Sequence, residues 1–269
     1  MNDIKLIASD MDHTLLTEKG ELPPDFDRYI HELDQLGIEF VIASGRPLYT
    51  LETTFSKIRD KMSFISDNGG IISHRGKIIF KSLLDPKNYQ RMIQFTEENT
   101  DGIAILCGVD CAYLSESNKI HESFLKTFYS NIEFVKDFGQ IAAAADKFTI
   151  YFPDKDSKEQ YEKLFNPQYG KDFSVTLGGA VWIDIMNHGI DKGKAMHLLG
   201  ENLGLTPEQM AAFGDTYNDI EMLQAVKYSY IVKNADEDMK QYADFITDSN
   251  DNFGVTKVLD EIIQSHKNG

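Results

Sequence analysis

The sequence predicts an α/β fold, a doubly wound parallel sheet interrupted by an inserted α+β domain. Three observations carry this. Short apolar runs of strand length alternate with helical periodicity over residues 1–82, the rhythm changes between about Leu83 and Met186, and the first rhythm resumes from Asp191. A chain of 269 residues with 42% hydrophobic content can bury two cores, which suits a division into residues 1–82 with 187–269 and residues 83–186.

Leu6-Ile7-Ala8 reads as a buried strand ending in Ser9-Asp10. From Pro23 a helical pattern puts Phe26, Tyr29, Ile30, Leu33 and Leu36 on one face, opened by Pro23-Pro24 and closed by Gly37. Phe40–Ala43 is again a buried strand, ending in Ser44-Gly45-Arg46-Pro47, and a second helix follows with Leu51, Phe55 and Ile58. Phe64–Ser66 makes a third strand. Ile71–Ser73 and Ile78–Phe80, around His74-Arg75-Gly76-Lys77, read as a hairpin.

In the insert, helices are expected near residues 86–98, 118–128 and 156–165, with strands at Ile103–Leu106, Phe148–Phe152, Phe173–Leu177 and Val181–Ile185. Cys107 and Cys111 suit a hairpin that buries both thiols, because no His pair is spaced to complete a zinc site. Ala142–Ala145 reads as a piece of helix or linker. After the insert come a helix from Asp191, a strand Met210–Phe213 ending in Gly214-Asp215, a helix from about Asn218, a strand Tyr228–Val232 and a last helix ending near Gln264.

The balance of 27 Lys and Arg against 43 Asp and Glu, a formal charge of -16, opposes a long nucleic acid as partner, and no basic run offsets it. The N-terminus lacks the cationic and apolar stretches of a secretory signal, and no run approaches the roughly 18 apolar residues of a membrane span. A soluble cytoplasmic protein with no membrane partner is expected. The sequence sets no oligomeric state.

Asp10-Met11-Asp12-His13-Thr14-Leu15 places two carboxylates two residues apart just past a strand's C-terminal end, where open α/β sheets bind ligands. Two such acids repel unless a cation or a shared proton compensates, so a divalent metal completes them naturally. Alone, the segment also reads as a solvated acidic turn with Thr14 as a helix cap. The other strand ends shift the balance. Ser44-Gly45 offers a hydroxyl and an unobstructed N–H to phosphoryl oxygens, Gly214-Asp215 with Asp219 adds carboxylates for a hard cation, and Lys192 adds a point charge.

In this order, Asp10-x-Asp12-x-Thr14, Ser44-Gly45-Arg46, Lys192 and Gly214-Asp215-x-x-Asn218-Asp219, the chain resembles the haloacid dehalogenase (HAD) superfamily phosphatases. The likeness is to the Cof-like branch, which has a Rossmann-like core and a large α+β cap between its second and third motifs. It implies Asp10 as nucleophile and ligand of Mg²⁺, Asp12 as general acid/base and a ligand through its backbone carbonyl, and Asp215 as the remaining protein ligand. It implies phosphoryl contacts from Ser44, Gly45 and Lys192, and support from Thr14, Arg46, Asn218 and Asp219. Asn68-Gly69 resembles an Asn-Gly pair of this branch near the substrate. His13 stands where the branch usually has glycine, and is expected to face solvent.

The resemblance implies hydrolysis of a small phosphorylated metabolite, whether a sugar phosphate, a nucleotide or a phosphorylated cofactor, through an aspartyl phosphate. Transfer of the phosphoryl group to another hydroxyl, as in a phosphomutase, stays open. A receiver-like signalling domain is disfavoured by Asp12, which would speed loss of the phosphoryl group, and by the chain's length. The cap is expected to close over the core, with Tyr113, Tyr151 and Trp182 as candidates to face the cleft.

Overall fold

A computed structural model describes residues 1–268. The first part of the chain supplies β1 (Leu6–Ser9), β2 (Glu39–Ala43), β3 (Ser63–Ser66), β4 (Ile71–His74) and β5 (Lys77–Lys81). The insert supplies β6 (Ile103–Gly108), β7 (Ala112–Ser115), β8 (Ile132–Val135), β9 (Ala145–Tyr151), β10 (Phe173–Leu177) and β11 (Trp182–Asn187). The last part supplies β12 (Met210–Gly214), β13 (Tyr228–Val232) and β14 (Phe245–Thr247).

Strands from the two outer parts form one sheet in the order β14-β13-β12-β1-β2-β3-β4-β5. From β14 to β3 every pairing is parallel, and the β4–β5 hairpin adds an antiparallel edge. Alternation along the strands sends Ile7, Phe40, Ile42 and Phe64 to one face, under the helices Phe26–Gln35 and Gly254–Asn268. Leu6, Ala8, Val41 and Ala43 go to the other, under the helices Lys192–Leu203 and Ile220–Gln224. With both faces covered, consecutive positions in the middle of the central strands are apolar, which is why they read as unbroken runs. Strand order reverses between β1 and β12, and a crevice opens there at the strands' C-terminal ends.

The insert forms the cap, a second sheet in the order β10-β11-β9-β6-β7-β8, antiparallel except for β7 with β8. One face packs Leu106, Phe148, Ile150, Ile183 and Ile185 with Tyr89, Met92 and Ile93 of the helix Pro86–Asn99. That helix starts where Asp85 accepts a hydrogen bond from the Lys87 amide and a proline fills the first turn.

Several expectations need correction. The first helix begins at Phe26, not Pro23, because Asp25 takes a left-handed conformation (φ 56°) just before it. Residues 118–128 hold a 3₁₀ stretch and one α turn, not a continuous helix. The helix expected near 156–165 is present and runs on as an α segment Ser157–Gln160, a π segment Tyr161–Phe165 and an α segment Asn166–Tyr169. Of the two readings of the alanine run the structure takes the linker, since Ala142–Ala144 is an irregular approach to β9, which Ala145 opens. Strands β7, β8 and β14 escape a reading by apolar runs because they are only three or four residues long and partly exposed. Cys107 and Cys111 flank the β6–β7 turn as buried free thiols. Among the described residues no helix is long and apolar enough to cross a membrane.

Candidate active site

Asp10 follows β1 and Asp215 follows β12, so the two carboxylates face each other across the crevice. After Asp10 the chain makes a tight loop closed by the Leu16 amide donating to the Met11 carbonyl at 2.8 Å. Inside it Asp12 is extended and His13 is left-handed (φ 62°), a conformation that costs an L-residue about 1 kcal/mol and glycine almost nothing. The backbone here thus suits the glycine of the resembling sequences. The His13 ring itself is exposed, 3.1 Å from Glu18. Thr14 is no helix cap; its hydroxyl donates to Asp215 at 2.7 Å.

Lys192 opens the helix Lys192–Leu203, whose N-cap, Asp191, accepts from the Lys194 amide. Its ammonium is fully buried and donates to Asp10 Oδ1 at 2.6 Å and to Asp219 Oδ1 at 2.7 Å. The other oxygen of Asp219 accepts from the amides of Asp215 and Thr216 at 3.0 and 3.2 Å, which fixes the turn after β12. Gly214 is required there, since a Cβ would stand 2.6 Å from that of Asp219. Burial lifts Asp10 well above the usual carboxylate range, Lys192 counters it, and Asp219 and Asp215 add to it. Burial and then the charge of Asp219 push Asp215 up to about 7. Burial works against the charge on Lys192, but Asp10 and Asp219 overcome it and hold the ammonium above its ordinary value.

The loops after β2 and β3 are tied together. The amides of Asp67 and Asn68 donate to the carbonyls of Arg46 and Ser44 at 3.1 Å each. The Ser44 hydroxyl accepts from the Arg46 amide at 3.1 Å, and the Gly45 N–H has no acceptor among the described residues. Asn218 donates to Asn68 Oδ1 at 2.9 Å, and Asn68 donates to Asp184 of the cap at 2.6 Å. Arg46 grips both carboxylate oxygens of Asp12, at 2.9 and 2.7 Å, and with a third nitrogen donates to the Thr127 carbonyl of the cap at 2.7 Å. Its guanidinium lies 5.1 Å from the centre of the Phe128 ring.

Alternation along β9 and β11 decides what the cap presents to this crevice. Phe148, Ile150, Ile183 and Ile185 point into the cap's own core. Lys147, Thr149, Trp182 and Asp184 therefore point the other way and roof a cavity of about 330 Å³ floored by Asp10 and Asp12. Of the aromatics proposed to face the cleft, Trp182 does so, Tyr151 is buried behind it, and Tyr113 packs against the core on the cap's other face.

Residues 7–259 match the haloacid dehalogenase-like hydrolase family. The chain belongs to that family. The hydrolase is 28% identical to the 5-amino-6-(5-phospho-D-ribitylamino)uracil phosphatase YbjI of Escherichia coli, over 97% of each chain. It is also 28% identical to a phosphatase of the same description, YcsE of Bacillus subtilis, over 96% of this chain and 95% of that one. Among solved structures, SMU.1108c from Streptococcus mutans superimposes with a TM-score of 0.90 at 30% identity, covering 97% of this hydrolase and 99% of its own chain.

The donor set of the hydrolase fits a hard divalent cation. Oxygens of Asp10, Asp215 and Asp219 lie within 4.8 Å of one another. Both Asp219 oxygens are already engaged, whereas Asp10 Oδ2 and Asp215 Oδ2 have no donor among the described residues. The repulsion that adds to burial in raising Asp10 and Asp215 is what a bound cation would relieve.

The sequence reading missed a buried ionic cluster where the two sheets of the hydrolase meet. Lys147 donates to the Gly45 carbonyl at 2.5 Å and lies 3.4 Å from Asp184 and 3.6 Å from Asp67. Asp146 and Asp67 are buried with no hydrogen-bond partner among the described residues. The signal was present in Ala145-Asp-Lys-Phe-Thr-Ile-Tyr151, where two charges sit inside a strand of seven buried residues.

Burial, opposed by Lys147, pushes Asp67 up to about 6. A carboxyl raised in the folded state contributes stability that is complete below its unfolded pKa and is lost as pH rises through the folded value. Stability should therefore fall between about pH 4 and pH 7. Asp67→Asn, which suits the left-handed backbone at φ 51°, should remove up to ~3 kcal/mol of that fall. Urea midpoints at pH 4.5, 6 and 8 would check it, and an unchanged slope would acquit Asp67.

Proposed function

We propose that this hydrolase is a magnesium-dependent phosphatase of a small phosphorylated metabolite, working through a phosphate ester on Asp10. The observation that carries the reading is the convergence of Asp10, Lys192 and Asp215 beneath a cavity, roofed by the cap and open at its side, that also holds Asp12. The relatives named for 5-amino-6-(5-phospho-D-ribitylamino)uracil support that compound as one candidate substrate.

Asp10 and Asp215 would hold Mg²⁺, with the Asp12 carbonyl as the family resemblance implies. Bound there, the ion would offset the repulsion between a phosphate dianion and the attacking carboxylate. Lys192 fixes one oxygen of Asp10 and so sets how the carboxylate is presented to phosphorus. The Ser44 hydroxyl, the Gly45 N–H and the Lys192 ammonium are the donors for the phosphoryl oxygens, with Asn218 beside them. In the first half-reaction the P–O bond to the alcohol breaks and Asp12 delivers a proton to the departing oxygen. In the second, Asp12 takes a proton from the water that attacks the phosphoaspartate, and inorganic phosphate leaves. The Arg46 fork orients Asp12 for both.

In this reading residues 1–82 and 187–269 carry the chemistry, and residues 83–186 form the cap that excludes bulk water. Phosphate release from p-nitrophenyl phosphate and from a panel of phosphorylated metabolites, with Mg²⁺ and with excess chelator, tests the proposal. Release should require Mg²⁺, and undiminished turnover in chelator would remove the metal from the mechanism. A rearranged phosphorylated product without free phosphate would favour phosphoryl transfer instead.

A further inference from the structure

Arg46 and Lys147 both line the cavity, and they are engaged differently. Arg46 is taken up by the Asp12 carboxylate and by the Thr127 carbonyl of the cap. Lys147, on β9 of the cap, makes its shortest bond to a neutral group, the Gly45 carbonyl at 2.5 Å, and stands 3.4 Å from Asp184 and 3.6 Å from Asp67. A lysine needed only to balance buried carboxylates would lie closest to them. Burial works against its charge, but Asp184 leads the groups that overcome this and hold the ammonium above its ordinary value.

The loop after β2 has three carbonyls in a row, and the core holds only the outer two. Ser44 and Arg46 accept from the amides of Asn68 and Asp67, whereas Gly45 between them has no donor but Lys147 among the described residues. The Gly45 carbonyl belongs to the Gly45–Arg46 peptide, whose N–H donates to the Ser44 hydroxyl at 3.1 Å. That peptide plane is therefore fixed at both ends, by the cap and by Ser44.

A hydroxyl that accepts from an amide keeps its own hydrogen for another partner, and the Ser44 hydroxyl donates to no group among the described residues. A cation on the carbonyl polarises the peptide, strengthens its N–H as a donor and so strengthens the hydroxyl beyond it. The run from Lys147 through Gly45–Arg46 ends at a hydroxyl in the wall of the cavity that Asp10 floors. The Gly45 N–H, also without an acceptor, sits on the same short loop.

We propose that Lys147 is a positioning residue for phosphoryl binding: seated with the cap, it holds and polarises the Gly45–Arg46 peptide so that the Ser44 hydroxyl and the Gly45 N–H meet the phosphoryl oxygens. This rests on the phosphatase reading and adds to it that the cap completes the phosphate loop as well as covering it.

The test removes the cation while keeping the buried charge balanced. Lys147→Met alone would strand Asp184 and Asp67, so it is made in an Asp67→Asn protein, where asparagine suits the left-handed backbone. Against Asp67→Asn, the Lys147→Met/Asp67→Asn protein should lose roughly tenfold or more in kcat/KM. The factor should be alike for p-nitrophenyl phosphate and ribose 5-phosphate, because the loop meets only the group they share. Inhibition by vanadate, which copies a five-coordinate phosphoryl group, should weaken by a similar factor. With Ser44→Ala added to both proteins, the same loss of Lys147 should cost no more than about threefold, since the group it acts through is gone. Lys147→Gln in the same background keeps a neutral donor, should lie between the two, and carries the same Ser44 comparison.

Melting curves report the folding of each protein. Equal losses with and without the Ser44 hydroxyl would overturn the proposal. So would a loss confined to one ester, which would make Lys147 a reader of the alcohol half, or a folded variant with the control's kinetics, which would leave the lysine a purely structural ion. Turnover of p-nitrophenyl phosphate without these effects removes only the role of Lys147. A parent protein that releases phosphate from no ester would sink the phosphatase reading itself.

Discussion

Replacing Asp10 by Asn should leave a folded protein that releases no measurable phosphate, a loss of at least ~10⁴-fold. In the proposed mechanism the Asp10 carboxylate forms the phosphate ester, and an amide at that position is a poor nucleophile. The same substitution removes one of three carboxylates crowded within 4.8 Å, so thermal stability without metal should hold or rise. The Mg²⁺-induced gain in melting temperature should shrink. Melting curves with and without Mg²⁺, beside a phosphate assay, separate these effects. A folded Asp10→Asn protein with near-parental rate would move the nucleophile elsewhere.

The second large effect is expected at Asp12. An aryl phosphate has a leaving group that needs little protonation, so Asp12→Asn should still transfer the phosphoryl group to Asp10. Hydrolysis of that ester needs a base for the water, and losing it typically costs ~10²–10⁴ in rate. The variant should therefore release a burst of aryl alcohol, one equivalent per site, and then turn over slowly while acid-stable, hydroxylamine-sensitive phosphoprotein accumulates. The asparagine keeps one acceptor for the Arg46 fork, which now grips both oxygens, so the loop should stay in place. Parental turnover without a burst would show that Asp12 is not the acid/base.

Much of this arrangement is readable in the sequence because the parallel strands are buried on both faces. An unbroken apolar run such as Phe40–Ala43 marks a strand, and the polar residues at its end must then lie on the sheet's C-terminal rim. That logic locates Asp10, Ser44 and Asp215 near one another, and the family resemblance supplies their expected roles. The cap is less legible. Its strands show one face to a core and the other to the site, so Lys147 and Asp184 look like ordinary solvent-facing alternation when they are almost fully buried. The resemblance implies a cap that closes over the core, but the sequence does not mark which strand residues it turns inward. Arg46 is similar: its motif position is visible, but its bond to the Thr127 carbonyl, 81 residues away, depends on how the cap is seated.

The pairing of β1 with β12, Leu6 beside Met210, also bears on how the molecule is made. The central seam of the sheet joins positions about 200 residues apart, so closing it costs chain entropy that no local contact repays in advance. During synthesis β1, β2 and β3 emerge long before β12, and β1 must wait as an open apolar edge while the whole cap is made. Asp10 and Asp215 meet only when that edge is closed. Catalytic competence should therefore be among the last properties gained on refolding, after the cap has acquired its own packing, and the half-built sheet is the species most exposed to aggregation.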